Sequence, residues 1–461
     1  MKRSIFAIFC ALCLLVTSFA CAETPPAKPE GDAAAPQGQP GGTPPDGQSA
    51  PPDGMGAPPD GQQPGTPPDG QPGGSVSQGT SATTLLEDTS ISGGDFLSTN
   101  ADENALRAAG LITVKLENIT LEKSGDTSSA DSSNFYGQNA AFLATDSATV
   151  SLTGVTAHTG ASGANGVFSY GSGTTVSLAD STVTTEGDNS GGVMVSGGGT
   201  MTVTNTTIET QGASAAALRT DRGGGTLTVD GGSYTTHGTG SPAVYSTAAI
   251  SVAHATLAAT ASEAIVVEGK NSVELTDCDV TGNMTGTYQD DSAENLHNVM
   301  LYQSMSGDAD VGQSHFTMTG GALTSHSGDL FYVTNTSCAI ALSGVTLVYA
   351  NDTLLTVAGN DGSRGWGNVG ANGGQCEFTA DAQTLAGTIT VDSISTLALT
   401  LQNGSAFTGT VNPGGQDGEV NVVLDSTSQW TLTADAYVTT FTGSMDNVVT
   451  NGFTLNVANE A

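Results

Sequence analysis

The sequence predicts an all-β fold, a right-handed parallel β-helix solenoid of roughly 12 coils. Apolar residues recur in one short pattern, two of them separated by a single residue and a third seven places after the first, as in Val176/Leu178/Val183. Successive copies from Val176 to Val273 begin 25, 26, 23 and 23 residues apart. Only 12% of the residues are charged and 62 are Gly, which excludes a coiled coil or a helical bundle.

Stacking of these repeats explains how the chain buries an apolar core. No single repeat can cover its own apolar face, so each strand is expected to pair in parallel with its counterpart in the next repeat. A second apolar run follows in each repeat, for example Val193–Val195 and Ile265–Val267. The only helix candidate is the segment 102–109, which we expect to cap the open end of the core.

The N-terminus predicts export. Residues 1–21 resemble a signal peptide, with two basic residues before an apolar stretch from Ile5 to Val16 that is too short to span a membrane. Two processing routes remain open, cleavage after Ala22 or lipidation of Cys21 as in a bacterial lipoprotein. The predicted location is extracellular, either secreted or held on the cell surface by this lipid anchor, which would be the only contact with the membrane.

Residues 22–83 are predicted to be a disordered linker. Pro-Pro-Asp-Gly occurs four times, beginning at Pro44, Pro51, Pro58 and Pro67, among Gly, Gln and Thr. Such a segment has almost nothing apolar to bury. It is interpreted as a stalk that lifts the following domain, predicted over 84–461, or alternatively as a tail on a secreted protein.

The charge of the chain limits its partners. With 10 Lys and Arg against 45 Asp and Glu, the formal net charge is −35, which argues against nucleic acid and against anionic lipid surfaces. Four of the few cations nevertheless fall at the same corner between coils. They are Arg219, Arg222, Lys270 and Arg364.

This corner is predicted to hold a ligand. Arg222, Tyr245 and Glu268 each precede the next repeat by five residues, so they are expected to form one vertical file. Arginine guanidinium groups, which can donate two parallel hydrogen bonds, beside an aromatic ring suit an anionic or hydroxyl-rich ligand. The alternative is local ion pairing that only shapes the turn. The predicted ligand-binding residues are Arg219, Arg222, Tyr245, Glu268, Lys270, Arg364 and Trp366.

Two long loops, 303–314 and 358–375, leave the same corner one ordinary coil apart. Asp308, Asp310 and Asp361 are therefore predicted to share a Ca²⁺ ion. Trp366 lies between two glycines and is predicted to offer a flat face for sugar stacking. The alternative is that its ring folds back to fill a gap while the acidic side chains are solvated.

Two cysteines are predicted to stack. Cys338 lies two places before Ile340 and Cys376 two places before Phe378, the first apolar residues of consecutive repeats. Their Cα atoms are therefore expected about 5 Å apart, within disulfide range. Both a disulfide and a pair of buried free thiols remain open.

The chain resembles the secreted right-handed β-helix, adhesin-like proteins of Gram-positive anaerobes, within the pectate-lyase-like superfamily. The resemblance rests on the signal with Cys21, on the Pro-Pro-Asp-Gly stalk, and on segments 134–141, 219–225, 241–247 and 262–272. It implies surface display and attachment to polysaccharide or to a host or cell-surface matrix, and it supplies no catalytic residues.

Catalysis is the alternative function. A polysaccharide lyase or glycoside hydrolase acting on acidic glycans would need paired carboxylates or a cationic base, and Asp290 and Asp291 are the nearest match to such a pair. The six histidines are scattered without metal-ligand spacing. A self-assembling structural surface protein is a second alternative. The sequence favours a non-enzymatic binding protein.

Overall fold

The computed structural model describes residues 76–286, 295–304, 307–415 and 417–459. Within these residues three long parallel sheets of 15, 14 and 10 strands wind along one axis, named here sheets A, B and C. Each strand pairs with its counterpart in the next coil, as Thr175–Ala179 does with Gly199–Thr204. The predicted parallel β-helix solenoid is confirmed. The signal peptide, Cys21 and nearly all of the predicted linker lie outside the described residues.

Sheet A follows the second apolar run of each repeat. Its strands are Thr80–Leu85, Glu103–Ala109, Phe142–Thr145, Val167–Tyr170, Val193–Ser196, Leu218–Thr220, Val244–Ser246, Ile265–Glu268, His297–Tyr302, Asp329–Thr334, Thr353–Val357, Thr384–Val391, Ala406–Val411, Gln429–Leu432 and Val448–Val449.

Sheet B carries the apolar-x-apolar pattern. Its strands are Thr89–Ser92, Thr113–Glu117, Thr149–Thr153, Thr175–Ala179, Gly199–Thr204, Gly225–Asp230, Ala249–Ala253, Ser272–Thr276, Gln313–Thr319, Ser337–Ser343, Gln375–Asp381, Thr396–Gln402, Glu419–Leu424 and Thr440–Thr442.

Sheet C holds the third apolar residue of each repeat. Its strands are Asp95–Ser98, Thr120–Lys123, Thr156–Thr159, Thr182–Thr185, Thr207–Thr210, Ser233–Thr236, Thr256–Ala259, Asp279–Gly282, Ala322–Ser325 and Thr346–Val348. Outside the three sheets lie a two-stranded sheet (Ala436–Val438 and Leu455–Val457), an α-helix (Ala130–Tyr136) and a 3₁₀ helix (Met445–Asn447).

The corner between sheets B and C repeats one backbone conformation. Its first residue has a positive φ, for example 53° at Asn118, 50° at Asp180 and 46° at Asn205, a region that Asn, Asp and Gly tolerate best. The next residue is mostly buried, and this inward file is Ile119, Val155, Ser181, Thr206, Gly232, Ala255, Cys278, Gly321 and Val345. Cys278 is thus a buried residue of this corner, and its thiol contacts the carbonyl oxygen of Thr276 at 3.4 Å.

The core is a set of stacked files between the three sheets. One file in sheet B runs through the fully buried residues Val176, Met201, Leu227, Ile250 and Val273. Further along the rod the core becomes aromatic. The ring of Phe331 packs against Phe316 and Phe378 with centroid distances of 5.8 Å each. Alternation of buried and exposed residues along sheets B and C reflects the period of two in a strand.

Three details of the sequence prediction are corrected. The described residues contain 15 strands in sheet A, more than the predicted 12 coils, because the first coil and the coils after Thr384 depart from the repeat pattern. The segment 102–109 is largely a strand, Glu103–Ala109, and pairs within sheet A. The first strand begins at Thr80, ahead of the predicted domain start at 84.

The described residues contain no helix with the length and apolar character that a membrane crossing requires. The α-helix Ala130–Tyr136 has 7 residues and begins at the N-cap Ser129, whose side chain accepts a hydrogen bond from the backbone N–H of Ser132. It ends at Gly137, whose φ of 76° is the left-handed conformation common after helices.

Candidate functional site

The outward face of sheet A carries a second apolar layer. Several of its strands, such as Val193–Ser196 and Ile265–Glu268, are buried at every residue, so both faces are covered. The outward file of register partners is Leu143, Phe168, Met194, Arg219, Tyr245, Val266, Met300 and Tyr332. Apolar side chains outside the solenoid need a cover, and two segments supply it.

The two covers lie at opposite ends of this file. Near one end, the helix Ala130–Tyr136 contacts the sheet, and Ala140, Leu143, Phe168 and Met194 form a small buried cluster beside it. Towards the other end, Trp366 from the loop 358–374, here called the Trp366 loop, packs on Val266, Met300, Tyr302 and Tyr332. Between the covers lies a groove with a cavity volume of about 200 Å³.

The groove has an aromatic and cationic lining. Its floor is formed by Arg219, Tyr245, Val266 and Met300, and one wall by turns that lead from sheet C to sheet A and contribute Ser214, Gly240, Pro242 and Glu263. Tyr302, Arg364 and Trp366 form the opposite end. Of the seven predicted ligand-binding residues, the structure brings Arg219, Tyr245, Arg364 and Trp366 together in this lining.

Arg219 is the central cation of the groove. Its guanidinium pairs with Asp221 at 2.5 Å and lies 5.2 Å from the centre of the Tyr245 ring. Burial disfavours the charged form, but Asp221, with smaller effects from Tyr245 and Asp308, outweighs it, so the pKa of Arg219 is raised. Its buried Nε–H has no hydrogen-bond partner among the described residues. A buried donor without a partner is costly, and a ligand oxygen in the groove would satisfy it.

Glu268 lies beside the aromatic floor, on the same face of sheet A, as the register partner of Tyr302. Its side chain is 1% exposed, and its carboxylate accepts hydrogen bonds from the hydroxyls of Tyr302, at 2.9 Å, Tyr245 and Ser304. Burial raises the pKa of Glu268, although these three donors act in the opposite direction. Burial also holds the pKa values of Tyr245 and Tyr302 well above 10, so both tyrosines are neutral donors at physiological pH. Glu268 therefore positions the rings and does not itself line the groove.

Trp366 closes one end of the groove. Trp366 is 6% exposed. The centre of its ring lies 4.8 Å from the centre of the Tyr302 ring, at an interplanar angle of 60°. The guanidinium of Arg364 lies 4.5 Å from the Trp366 ring centre, and the amides of Asn360 and Asn372 donate to its backbone carbonyl at 3.0 and 3.2 Å. The ring thus folds back onto the sheet, as the second alternative from the sequence describes, and still borders the groove.

Arg222 and Lys270 do not line the groove. Arg222 pairs with Asp308 and lies 3.9 Å from the ring centre of Phe135, so it ties the helix to the loop before sheet B. Lys270 pairs with Asp310 at 2.8 Å on the exposed surface. For these two cations the structure shows the local ion pairing that was the alternative.

The predicted file of Arg222, Tyr245 and Glu268 is wrong. The register partners of Tyr245 are Arg219 and Val266. The prediction counted backward across the turn between sheets A and B, and this turn spans residues 221–224 in one coil but only 247–248 in the next. A change in turn length shifts any register counted across it. Tyr245 and Glu268 still meet, through the hydrogen bond between their side chains.

The three carboxylates predicted to share a Ca²⁺ ion have other partners in the structure. Asp308 pairs with Arg222 and Asp310 with Lys270, whereas Asp361 accepts a hydrogen bond from the backbone N–H of Ser363 at 2.9 Å. Within the described ranges no group of three or more His, Cys, Asp or Glu side chains has a metal-binding arrangement. Nearby cations thus pair with two of the three predicted carboxylates, and calcium binding stays a prediction.

The predicted cysteine stack is present. Cys338 and Cys376 are register partners on neighbouring strands of sheet B, and both side chains are buried. Both are free thiols, as is the buried Cys278. Of the two alternatives left open by the sequence, the structure contains the pair of buried thiols.

Comparison with known proteins supports the fold. Residues 117–300 match a family model described as a right handed beta helix region. No curated protein and no solved structure matches the chain significantly. The matched part of the chain is therefore similar to right-handed β-helix proteins, which agrees with the parallel sheets and the coil register.

Several residues of the groove escaped the sequence analysis. Val266 and Met300 were seen only as parts of apolar runs, and Tyr302 and Glu263 were not singled out. A signal was present, because runs such as Val299–Leu301 are apolar at every position where a half-buried strand would alternate. Such a run indicates that something covers the outer face of the strand.

Proposed function

We propose that this protein is an extracellular, surface-displayed adhesin that binds carbohydrate in the groove on sheet A without catalysis. The observation that carries the proposal is the juxtaposition of the Tyr245 and Trp366 rings with the unpartnered Nε–H of Arg219. A sugar ring has an apolar C–H face, which packs on aromatic rings, and hydroxyl oxygens, which accept hydrogen bonds.

The chemistry of the lining favours binding over hydrolysis. Hydrolysis of a glycosidic bond needs two carboxyl groups across the scissile bond. In the described part of the chain Glu263 is the one carboxylate that lines the groove, because Glu268 is buried beside the tyrosines and bonded to their hydroxyls. Neutral tyrosines with a strongly raised pKa are also poor bases for a lyase. Asp290 and Asp291, the pair noted in the sequence, lie outside the described residues.

Export and surface display complete the proposal. The signal peptide and the Pro-Pro-Asp-Gly stalk support them from the sequence alone. Incorporation of labelled palmitate into the full-length chain in a bacterial host, and its loss in Cys21→Ser, would establish the lipid anchor. Recovery of the unlabelled chain in the culture medium would instead establish the secreted form.

The binding test uses the full chain on a glycan array, followed by calorimetry with each glycan that binds. Arg219→Lys keeps the charge that faces Asp221 but removes the Nε donor, so affinity is expected to fall about tenfold. The matched control is Lys270→Arg, an exposed cation of the same corner that does not line the groove, with an unchanged affinity expected.

Two outcomes would contradict the proposal. One is the absence of binding to every glycan. The other is release of reducing or unsaturated sugar from a polysaccharide, with loss of this activity in Glu263→Gln. Binding is expected to be equal with Ca²⁺ and with a chelator, because Asp308, Asp310 and Asp361 do not line the groove.

A further inference from the structure

The groove is closed on several sides by segments outside the solenoid. Along the rod axis, the helix Ala130–Tyr136 lies beyond Arg219, and the Trp366 loop lies beyond Tyr302. Arg222 reinforces the first closure, since it contacts Phe135 of the helix and pairs with Asp308. A polymer that runs along the rod would collide with one of these two covers.

The sides of the groove are bounded as well. The turns that carry Ser214, Pro242 and Glu263 form one wall. At the other edge, Tyr302 ends the strand His297–Tyr302, and its ring packs against that of Trp366. These contacts leave the direction away from sheet A as the open one. The shape is therefore a pocket and not a cleft through which a chain passes.

The size of this pocket limits what it can hold. Its volume of about 200 Å³ lies below the roughly 300–1,000 Å³ typical of sites that enclose drug-sized ligands. One sugar ring is an occupant of suitable size, with its face towards Tyr245 and Trp366. The Nε–H of Arg219 lies on the floor, where it would meet an oxygen at the inner edge of that ring.

We infer that the groove recognises the terminal sugar of a glycan chain and not an internal stretch. The inference rests on the proposed carbohydrate-binding function and names the part of the ligand that is bound. The terminal ring enters from the open side, its hydroxyl oxygens accept from Arg219, and the rest of the chain extends into solvent. Affinity then depends on the identity of the last sugar and little on the length of the chain.

Calorimetry with the full chain tests this inference. The probes are free xylose, galactose and N-acetylglucosamine and their linear β-linked oligomers of increasing length. Affinity is expected to reach its plateau at the monosaccharide or the disaccharide. Affinity that keeps rising with each further sugar would overturn the terminal-sugar inference but leave the binding function intact. No binding by any probe would contradict both.

A variant pair probes the closure itself. Trp366→Ala removes one cover and one stacking ring, so monosaccharide affinity is expected to fall about tenfold and a dependence on chain length to appear. Val369→Ala, at a residue of the same loop that is 69% exposed, is the matched control and should behave like the unmodified chain. Trp366→Leu retains an apolar plug if the alanine variant unfolds. If affinity depends on glycan length in the same way in Trp366→Ala and in Val369→Ala, the Trp366 loop does not close the groove as inferred.

Discussion

At the scale of single residues, Glu268 shows how burial and hydrogen bonding oppose each other. The carboxyl is nearly inaccessible and has three hydroxyl donors, yet no cation pairs with it directly within the described residues. Hydroxyl donors stabilise the carboxylate less than an ion pair would, so burial dominates and the pKa is raised.

This raised pKa predicts a loss of stability with rising pH. An acid whose pKa is higher in the folded than in the unfolded state binds more protons when folded, so its contribution falls as pH rises from 4.5 through the folded pKa. Glu268→Gln should remove that part of the pH dependence. Thermal unfolding of both proteins across this range measures it. Parallel pH curves for the two proteins would show that Glu268 does not titrate as described.

A second pH dependence is expected from His158, which lies in the strand Thr156–Thr159 of sheet C. It bonds to Glu122 at 2.9 Å and to Glu186 at 3.3 Å, and the hydrogen bond to Glu122 raises its pKa above 6.5. A base whose pKa is higher in the folded than in the unfolded state stabilises the folded protein. This stabilisation is complete below the unfolded pKa and is lost as the pH rises through the folded pKa.

His158→Gln should therefore lower the melting temperature below pH 6.5 and have little effect in alkaline solution. The same substitution in a Glu122→Gln background is the control, and there the difference at acidic pH should shrink. A pH-independent difference would mean that the histidine acts through packing alone.

At the scale of elements, the backbone conformation of the residue that follows a strand of sheet B determines which residues are tolerated there. Ala382 has a φ of 48° after a strand of sheet B, a conformation that costs a residue with a Cβ roughly 1–2 kcal/mol. Ala382→Gly is therefore expected to stabilise the protein by about 1 kcal/mol, measured by urea unfolding. Ala341→Gly, within a strand of the same sheet, is the control and should destabilise by about 0.5–1 kcal/mol. Destabilisation by both changes would contradict the strain argument.

The elements also show which parts of the structure a sequence can predict. The register within sheets B and C follows from an alternation with period two, so the stacking of Cys338 on Cys376 was predictable. Positions counted across the turn between sheets A and B were not, because nothing in a local pattern fixes the length of that turn. Arg222 and Asp308 are 86 positions apart in the sequence, so no local sequence pattern predicts their pairing. The helix Ala130–Tyr136 does have a local sequence signal, since Ser129, Asp131 and Gly137 are typical helix-end residues.

At the scale of the whole molecule, the solenoid makes stability nearly one-dimensional, because each coil contacts mainly its neighbours. Phe331→Ala removes the central ring of the aromatic stack and is expected to cost about 3–5 kcal/mol. Hydrogen exchange should rise in the adjacent coils and stay low around Val176. Phe453, which is 40% exposed, provides the control substitution to alanine, with little change expected. Uniform acceleration of exchange along the rod would argue for a single cooperative unit.

The turn between sheets A and B has a consequence for engineering. It contains two residues at 247–248 and seventeen at 358–374, and the strands on either side keep their pairing in both cases. Foreign peptides grafted here would project from a scaffold that tolerates them. The choice of coil would set their spacing in increments of about 4.8 Å, so that the rod would serve as a ruler for arranging epitopes.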